Sequence, residues 1–242
     1  MANQLDLEEQ EQLDQLKHLW KQYGNLITWA LIAVMGAYAA WNGYQYWQRN
    51  QASQAAAMFD EVGRMAGSGD ISKVERAFGD MKDRYGGTTY AQQSGLLVAK
   101  LYYEAGKVDA AKAALDWVAN KASDEAYQAI ARLRLAGILA EAKSFPEAMT
   151  QLGGTFPAEF GPLVADRKGD ILALQGKTAE AKAEYEKAYK GLDARTEYRR
   201  LVEIKLNALG VDPLALAGAG AAAAPVASGI PAPGASATGS TK

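Results

Sequence analysis

Residues 22–48 carry no formal charge, and thirteen of these 27 positions are large apolar or aromatic. No other stretch constrains the fold as tightly. A hydrocarbon core about 30 Å thick takes about 20 helical residues to cross. Inside it every backbone polar group must be satisfied within the segment, so a single crossing chain has to be a helix. Trp20 and Tyr23 flank one end, and Trp41, Tyr44, Tyr46 and Trp47 flank the other. These are the places where amphipathic rings meet the two membrane interfaces. Residues 22–48 are therefore expected to form a transmembrane helix.

The residues before it, 1–21, read as a short acidic leader with helical spacing of Leu13, Leu16, Trp20 and Tyr23. Ala37-Tyr38-Ala39 has the small-x-small pattern of a signal-peptide cleavage site. A signal n-region is normally positive, however, and this one holds five acids against Lys17 and Lys21. An uncleaved anchor is the expectation. Lys17 and Lys21 precede the span while Arg49 alone follows it closely, a bias that favours a cytoplasmic N-terminus and an exported body. Within the span, Ala33, Gly36, Ala37, Ala40 and Gly43 recur at spacings of three and four, a small-residue face that lets a partner helix approach.

The body, residues 49–210, is repetitive. Gly69-Asp70, Gly106-Lys107, Lys143-Ser144 and Gly176-Lys177 interrupt helical patterns at intervals of 37, 37 and 33 residues. Counted back seven positions from each turn stand Val62, Ala99, Ala136 and Gly169; counted back four stand Met65, Tyr102, Leu139 and Leu172. Five positions after each turn stand Val74, Ala111, Ala148 and Ala181; nine after it stand Phe78, Leu115, Leu152 and Tyr185. Small residues where helices cross, with larger ones a turn away, describe helical hairpins that bury their apolar faces by stacking. Ser72-x-x-Glu75 and Ser144-x-x-Glu147 have capping-box spacing, the latter with Pro146 in the first turn. Gly86-Gly87 and Gly153-Gly154 mark breaks between hairpins, and Pro157 and Pro162 punctuate the join of the third to the fourth. A final helix over about 196–209, with Leu201, Val202, Leu206 and Leu209 on one side, suits a terminal cap.

The fold class expected is thus all-α: one N-terminal transmembrane helix, then a tetratricopeptide-like helical-hairpin solenoid of about four repeats plus a capping helix. Met58, Gly95, Arg132 and Ala165 stand where such repeats usually carry an early tryptophan. Ser123, Phe160 and Asp193 stand where their closing proline is usual. Residues 211–242 are expected to form a disordered Ala/Gly/Pro tail. Residues 215–241 are uncharged, but only Leu216, Val226 and Ile230 are large and apolar, too few for a second span.

Composition narrows the chemistry. Residues 49–210 hold 23 basic and 22 acidic side chains, without the basic excess a nucleic-acid partner demands. With no cysteine and a single histidine, His18, neither a thiolate nor a histidine-based metal cluster can be assembled, and no cofactor is expected. Gly67-x-Gly69 lacks the preceding strand of a phosphate loop. Asp166 and Asp170, one helical turn apart beside Arg167 and Lys168, read as solvated surface charges, as do Lys182, Glu184, Glu186, Lys187 and Lys190. No enzyme is indicated. Stacked hairpins bind instead, on a concave face lined by their first helices. Tetratricopeptide geometry puts Phe59, Leu96, Lys100, Tyr103, Leu133, Asp166 and Asp170 on that face as a partner-binding groove, with Phe59, Leu96 and Leu133 equally readable as core.

The order of leader, span with an aromatic end, and divergent repeats resembles the YfgM-like ancillary subunits of the bacterial Sec translocon. The local matches are Arg132-Leu133-Arg134-Leu135-Ala136, Leu163-Val164-Ala165-Asp166 with Gly169-Asp170, Gly176-Lys177, and Lys205-Leu206-Asn207 with Leu209. The resemblance covers roughly residues 17–210. It implies an inner-membrane protein with periplasmic repeats, associated with the Sec translocon and with a membrane-anchored periplasmic peptidyl-prolyl isomerase, and assisting exported polypeptides. A scaffold for an envelope-assembly or cell-division complex is the alternative for a chain of this architecture.

Overall fold

The structure, a computed structural model, describes the backbone of residues 7–213 and the side chains of residues 17, 18 and 20–213. The first six residues of the leader and the tail from Leu214 onward lie outside the described residues. All regular structure among the described residues is helical.

Helix α1 runs from Leu7 to Gly67 without a break, 61 residues and about 90 Å at 1.5 Å per residue. It contains the expected span and also the first helix of the first hairpin. From Tyr44 to Val62 there is neither glycine nor proline, and Gln51–Met58 is rich in alanine and glutamine, so nothing stops the helix at the edge of the apolar run. Helices α2 (Ile71–Tyr85) and α3 (Thr89–Glu104) complete a first compact unit that ends at Glu104. They pack against each other and against α1 through Val62, Val74, Phe78, Met81, Val98 and Ala99, all buried. Tyr85 Oη donates to Gln54 Oε1 at 2.9 Å, and the Phe59 and Tyr90 rings lie 6.0 Å apart.

The second unit begins at Ala105. It comprises α4 (Val108–Lys121), α5 (Glu125–Glu141), α6 (Phe145–Gln151), a 3-10 turn at Ala158–Phe160, α7 (Gly161–Leu174), α8 (Thr178–Gly191) and α9 (Glu197–Ala208). Helix α5 packs against α4, α6 and α7, α7 against α8, and α8 against α9. The repeat register holds in detail. All eight residues five and nine positions after the four turns are buried, from Val74 and Phe78 to Ala181 and Tyr185. Fully burying a Leu, Met or Phe side chain contributes about 1.5–3 kcal/mol, so the apolar positions of the period stabilise each hairpin. The small position is most demanding at Gly169, where an added Cβ would lie 2.6 Å from the Tyr185 ring. A glycine there brings α7 and α8 into close approach.

Each turn reverses through a left-handed residue: Gly69, Gly106, Lys143 and Gly176 have φ between 60° and 75°. Glycine takes this conformation without steric cost; Lys143 does not. The 143 and 176 turns close as Schellman motifs, with Ser144 N–H donating to Leu139 O and Lys177 N–H to Leu172 O, both at 2.9 Å. A fifth copy follows α9. Gly210 has φ 74°, Val211 N–H donates to Leu206 O at 3.0 Å, and Val211 is buried in the same cluster as Leu206. The packed chain therefore reaches past residue 210, because the last helix is closed by the same device as the earlier ones.

Three local expectations are corrected. The cap of α2 is Asp70, whose carboxylate accepts from Lys73 N–H at 3.2 Å; Ser72 lies inside the first turn, so no capping box forms there. Ser144 does occupy the cap position of α6, with proline in the first turn, but its hydroxyl makes no capping bond. On α9 only Val202 and Leu206 are buried, with Leu209 partly so; Leu201 points outward and is 45% exposed. A helix of period 3.6 cannot turn both Leu201 and Leu206 to one core.

Candidate functional site

Three features stand out among the described residues: the uncovered part of α1, the outer face of α3, and a charged cluster joining α7, α8 and α9.

Across the apolar segment of α1 the large side chains are left uncovered by the other described residues. Leu26, Trp29, Ile32, Val34 and Tyr38 are exposed, and Met35 is 70% exposed. The polar groups in this segment turn back on their own backbone: Thr28 Oγ1 donates to Gly24 O at 2.7 Å and Asn42 Nδ2 to Tyr38 O at 3.0 Å. Such internal satisfaction is what a low-dielectric surrounding requires. Contiguous apolar surface on this scale marks contact with a membrane or a partner. This helix is long and apolar enough to cross a membrane. Ala33, Gly36, Ala37, Ala40 and Gly43 are likewise open, and a Cβ added at Gly36 or Gly43 would meet nothing within 4 Å.

The residues expected in a groove divide. On α3, Lys100 and Tyr103 are exposed, Lys100 pairing with Glu104 at 3.7 Å, while Leu96 is buried. Phe59 is partly buried against Tyr90, and Leu133 packs on the core cluster of Ala136, Leu152 and Ile171. Leu96 and Leu133 are thus packing residues. Spacing on a helix says which residues share a face, not whether a neighbour covers it.

Asp166 and Asp170 are not solvated surface charges. Asp166 is only 1% exposed. Lys205 Nζ, from α9, donates to both Asp166 oxygens at 2.8 Å and to Asp170 Oδ1 at 2.6 Å. Tyr198 Oη donates to Asp166 Oδ2 at 2.5 Å, Tyr185 Oη donates to Asp170 Oδ1 at 2.9 Å, and Arg167 stands 3.6 Å from Asp170 Oδ2. Lys205 also sits over the Tyr185 ring, 5.3 Å from its centroid. Burial raises both phenols above the ordinary tyrosine range; the neighbouring Asp170 raises Tyr185 further, and the hydrogen bond to Asp166 does the same for Tyr198. Both stay protonated donors at neutral pH. With an ammonium lodged between them, the two carboxylates are not poised as an acid and a base. Their chemistry is to hold α9 on α7 and α8. On the expected charged face of α8 the lysines are exposed, but Glu184 and Glu186 are half-buried, with Lys187 on Glu184 at 2.7 Å and Lys190 on Glu186 at 3.9 Å.

Sequence reading placed Tyr185 in the repeat register and Lys205 in the closing family match, but put neither of them, nor Tyr198, beside the aspartates. The cue lay in the period: Tyr185 brings a hydroxyl to the position where Phe78, Leu115 and Leu152 bring none, and a buried hydroxyl needs a partner.

Residues 17–211 match the tetratricopeptide repeat-like domain family. A Neisseria gonorrhoeae protein named ancillary SecYEG translocon subunit is 30% identical over 204 residues, 84% of this chain and 98% of the relative. The chain belongs to this family. Proteins of the same name from Haemophilus influenzae and Escherichia coli are 27% and 22% identical, over 84% of this chain and 98% and 97% of their own lengths. The family match begins at residue 17, so it takes in the apolar segment of α1 as well as the repeats.

Proposed function

We propose that this chain is a membrane-anchored adaptor of the Sec translocon, non-enzymatic, with the residues before the span in the cytoplasm and the repeats in the periplasm. The observation that carries the reading is the near full-length similarity to proteins named ancillary SecYEG translocon subunits. The continuous helix α1 supports it, since one rigid rod joins the apolar segment to the first hairpin. In this reading the span lies against a translocon helix through Ala33, Gly36, Ala37, Ala40 and Gly43. The repeats receive a membrane-anchored periplasmic prolyl isomerase or an exported polypeptide, with Lys100 and Tyr103 among the contact residues. Confinement beside the channel raises the effective concentration of such partners, so individually weak contacts suffice.

Photo-cross-linkers placed at residues 33, 36, 40, 100 and 103 in cells test this. Adducts with SecYEG subunits from the span, and with a prolyl isomerase or exported chains from α3, are the expected result. Adducts confined to cell-division or envelope-assembly proteins would overturn it. Protease protection in right-side-out and inverted vesicles reads the orientation, and cleavage of the repeats only in inverted vesicles would reverse it.

A further inference from the structure

Helix α9 is the last packed helix among the described residues, and the outer side of a terminal helix is normally polar because nothing stacks on it. Here Leu201 and Ile204, 45% and 60% exposed, form an apolar line on that side, continued by exposed Ala208. Beside it, at the start of α9, lies an open depression lined by Arg195, Thr196, Glu197, Arg199, Arg200 and Glu203. Lys187 and Lys190 of α8 pair with glutamates on their own helix, whereas among the described residues the Arg195 and Arg200 guanidiniums have no carboxylate partner. Arg199 stacks over Tyr189 at 4.1 Å, and its Nε is buried without an acceptor. The N-cap Thr196 makes no side-chain capping bond.

We propose that this face docks an acidic amphipathic helix of another protein, its apolar side on Leu201 and Ile204 and its carboxylates on Arg195, Arg199 and Arg200. Charge complementarity selects this occupant: three arginines outnumber Glu197 and Glu203 around the depression, and Arg195 and Arg200 pair with neither. The chain's own residues 214–241 carry neither acid nor base and cannot neutralise the arginines. Lys205, Tyr198 and the two aspartates fix α9 from beneath, so the docking face is pre-organised. The surface uses none of the α1 and α3 residues assigned to partners above.

The test uses the full chain in phosphatidylcholine nanodiscs and two fluorescent synthetic amphipathic helices. Both carry leucines at i, i+3 and i+7; one is flanked by glutamates and the other by lysines. Saturable binding of the glutamate peptide alone is expected. Leu201→Ser with Ile204→Ser should weaken it at least about tenfold, the loss expected from leaving such side chains unburied. Arg195→Glu with Arg200→Glu should abolish it and admit the lysine peptide. All four positions are exposed, so an unchanged thermal midpoint is expected in both variants. Equal binding of both peptides, or of neither, overturns the proposal. So does binding that requires removal of residues 214–242, which makes the tail the occupant. A dimer lost in the Leu201→Ser, Ile204→Ser variant without peptide binding assigns the face to a second copy and overturns it equally.

Discussion

The apolar segment of α1 and the α7–α9 cluster reverse the usual placement of side chains. In the first, aliphatic and aromatic groups stand uncovered while Thr28 and Asn42 satisfy themselves on their own backbone. In the second, buried Asp166 and Tyr185 and half-buried Asp170, Tyr198 and Lys205 are satisfied by one another. The difference is one of solvent. An uncovered apolar helix is stable where its surroundings are hydrocarbon, and a charge cluster survives burial only when every member has a partner. One region is therefore completed by something outside the chain, and the other is complete within it.

The largest effect should come from leaving that cluster incomplete. Lys205→Met removes the cation that serves both aspartates, and breaking a buried pair in this way costs about 3–5 kcal/mol. Urea denaturation of the full chain in detergent reads it, and a loss below about 1 kcal/mol would show the cluster to be no more than a surface ion pair. The converse change, Val34→Arg, puts an unpartnered charge into the apolar segment. It should disfavour insertion by about 2.5–3.5 kcal/mol, seen as protein released by carbonate extraction while the repeats keep their helical circular dichroism. Full retention in the membrane pellet would take Val34 out of the span.

The phenols sharpen the contrast through pH. Tyr185 and Tyr198 have folded-state pKa values raised above the unfolded value of about 10. Their contribution to stability is fully present below pH 10 and is lost as pH rises towards the folded values, because the unfolded chain releases these protons first. The urea midpoint should fall above pH 10, and Tyr185→Phe with Tyr198→Phe should make that fall shallower. An identical slope in the variant would mean the phenols are not held by the carboxylates. The smallest effect belongs to the turns between helices. Lys143→Gly relieves a left-handed lysine and should stabilise by about 0.5–1 kcal/mol, whereas Gly176→Ala should destabilise by a similar amount. Thermal midpoints of the pair test whether the four turns are equivalent.

The repeat was legible because helix packing is written at fixed intervals. Val74, Ala111, Ala148 and Ala181 fall five positions after turns that only glycine, or one strained lysine, makes. The long apolar helix was legible for a similar reason, since an uncharged run with aromatic ends is written in consecutive residues. Groove residues were legible only as a helical face, and Leu96 shows the limit: its spacing with Lys100 and Tyr103 is right, yet it is buried.

Sequence alone determined the all-helical class, the hairpin period and the apolar helix, because each depends on neighbours within a few turns of the same chain. Tertiary structure decided that α1 is one unbroken rod through the first hairpin. It also decided that Asp166 is interior, that Asp170 is half-buried beside it and that Leu201 faces outward. Asp166 meets Tyr198 and Lys205 across 32 and 39 residues. A charge's surroundings at that separation are set by how helices stack, and no local pattern records them.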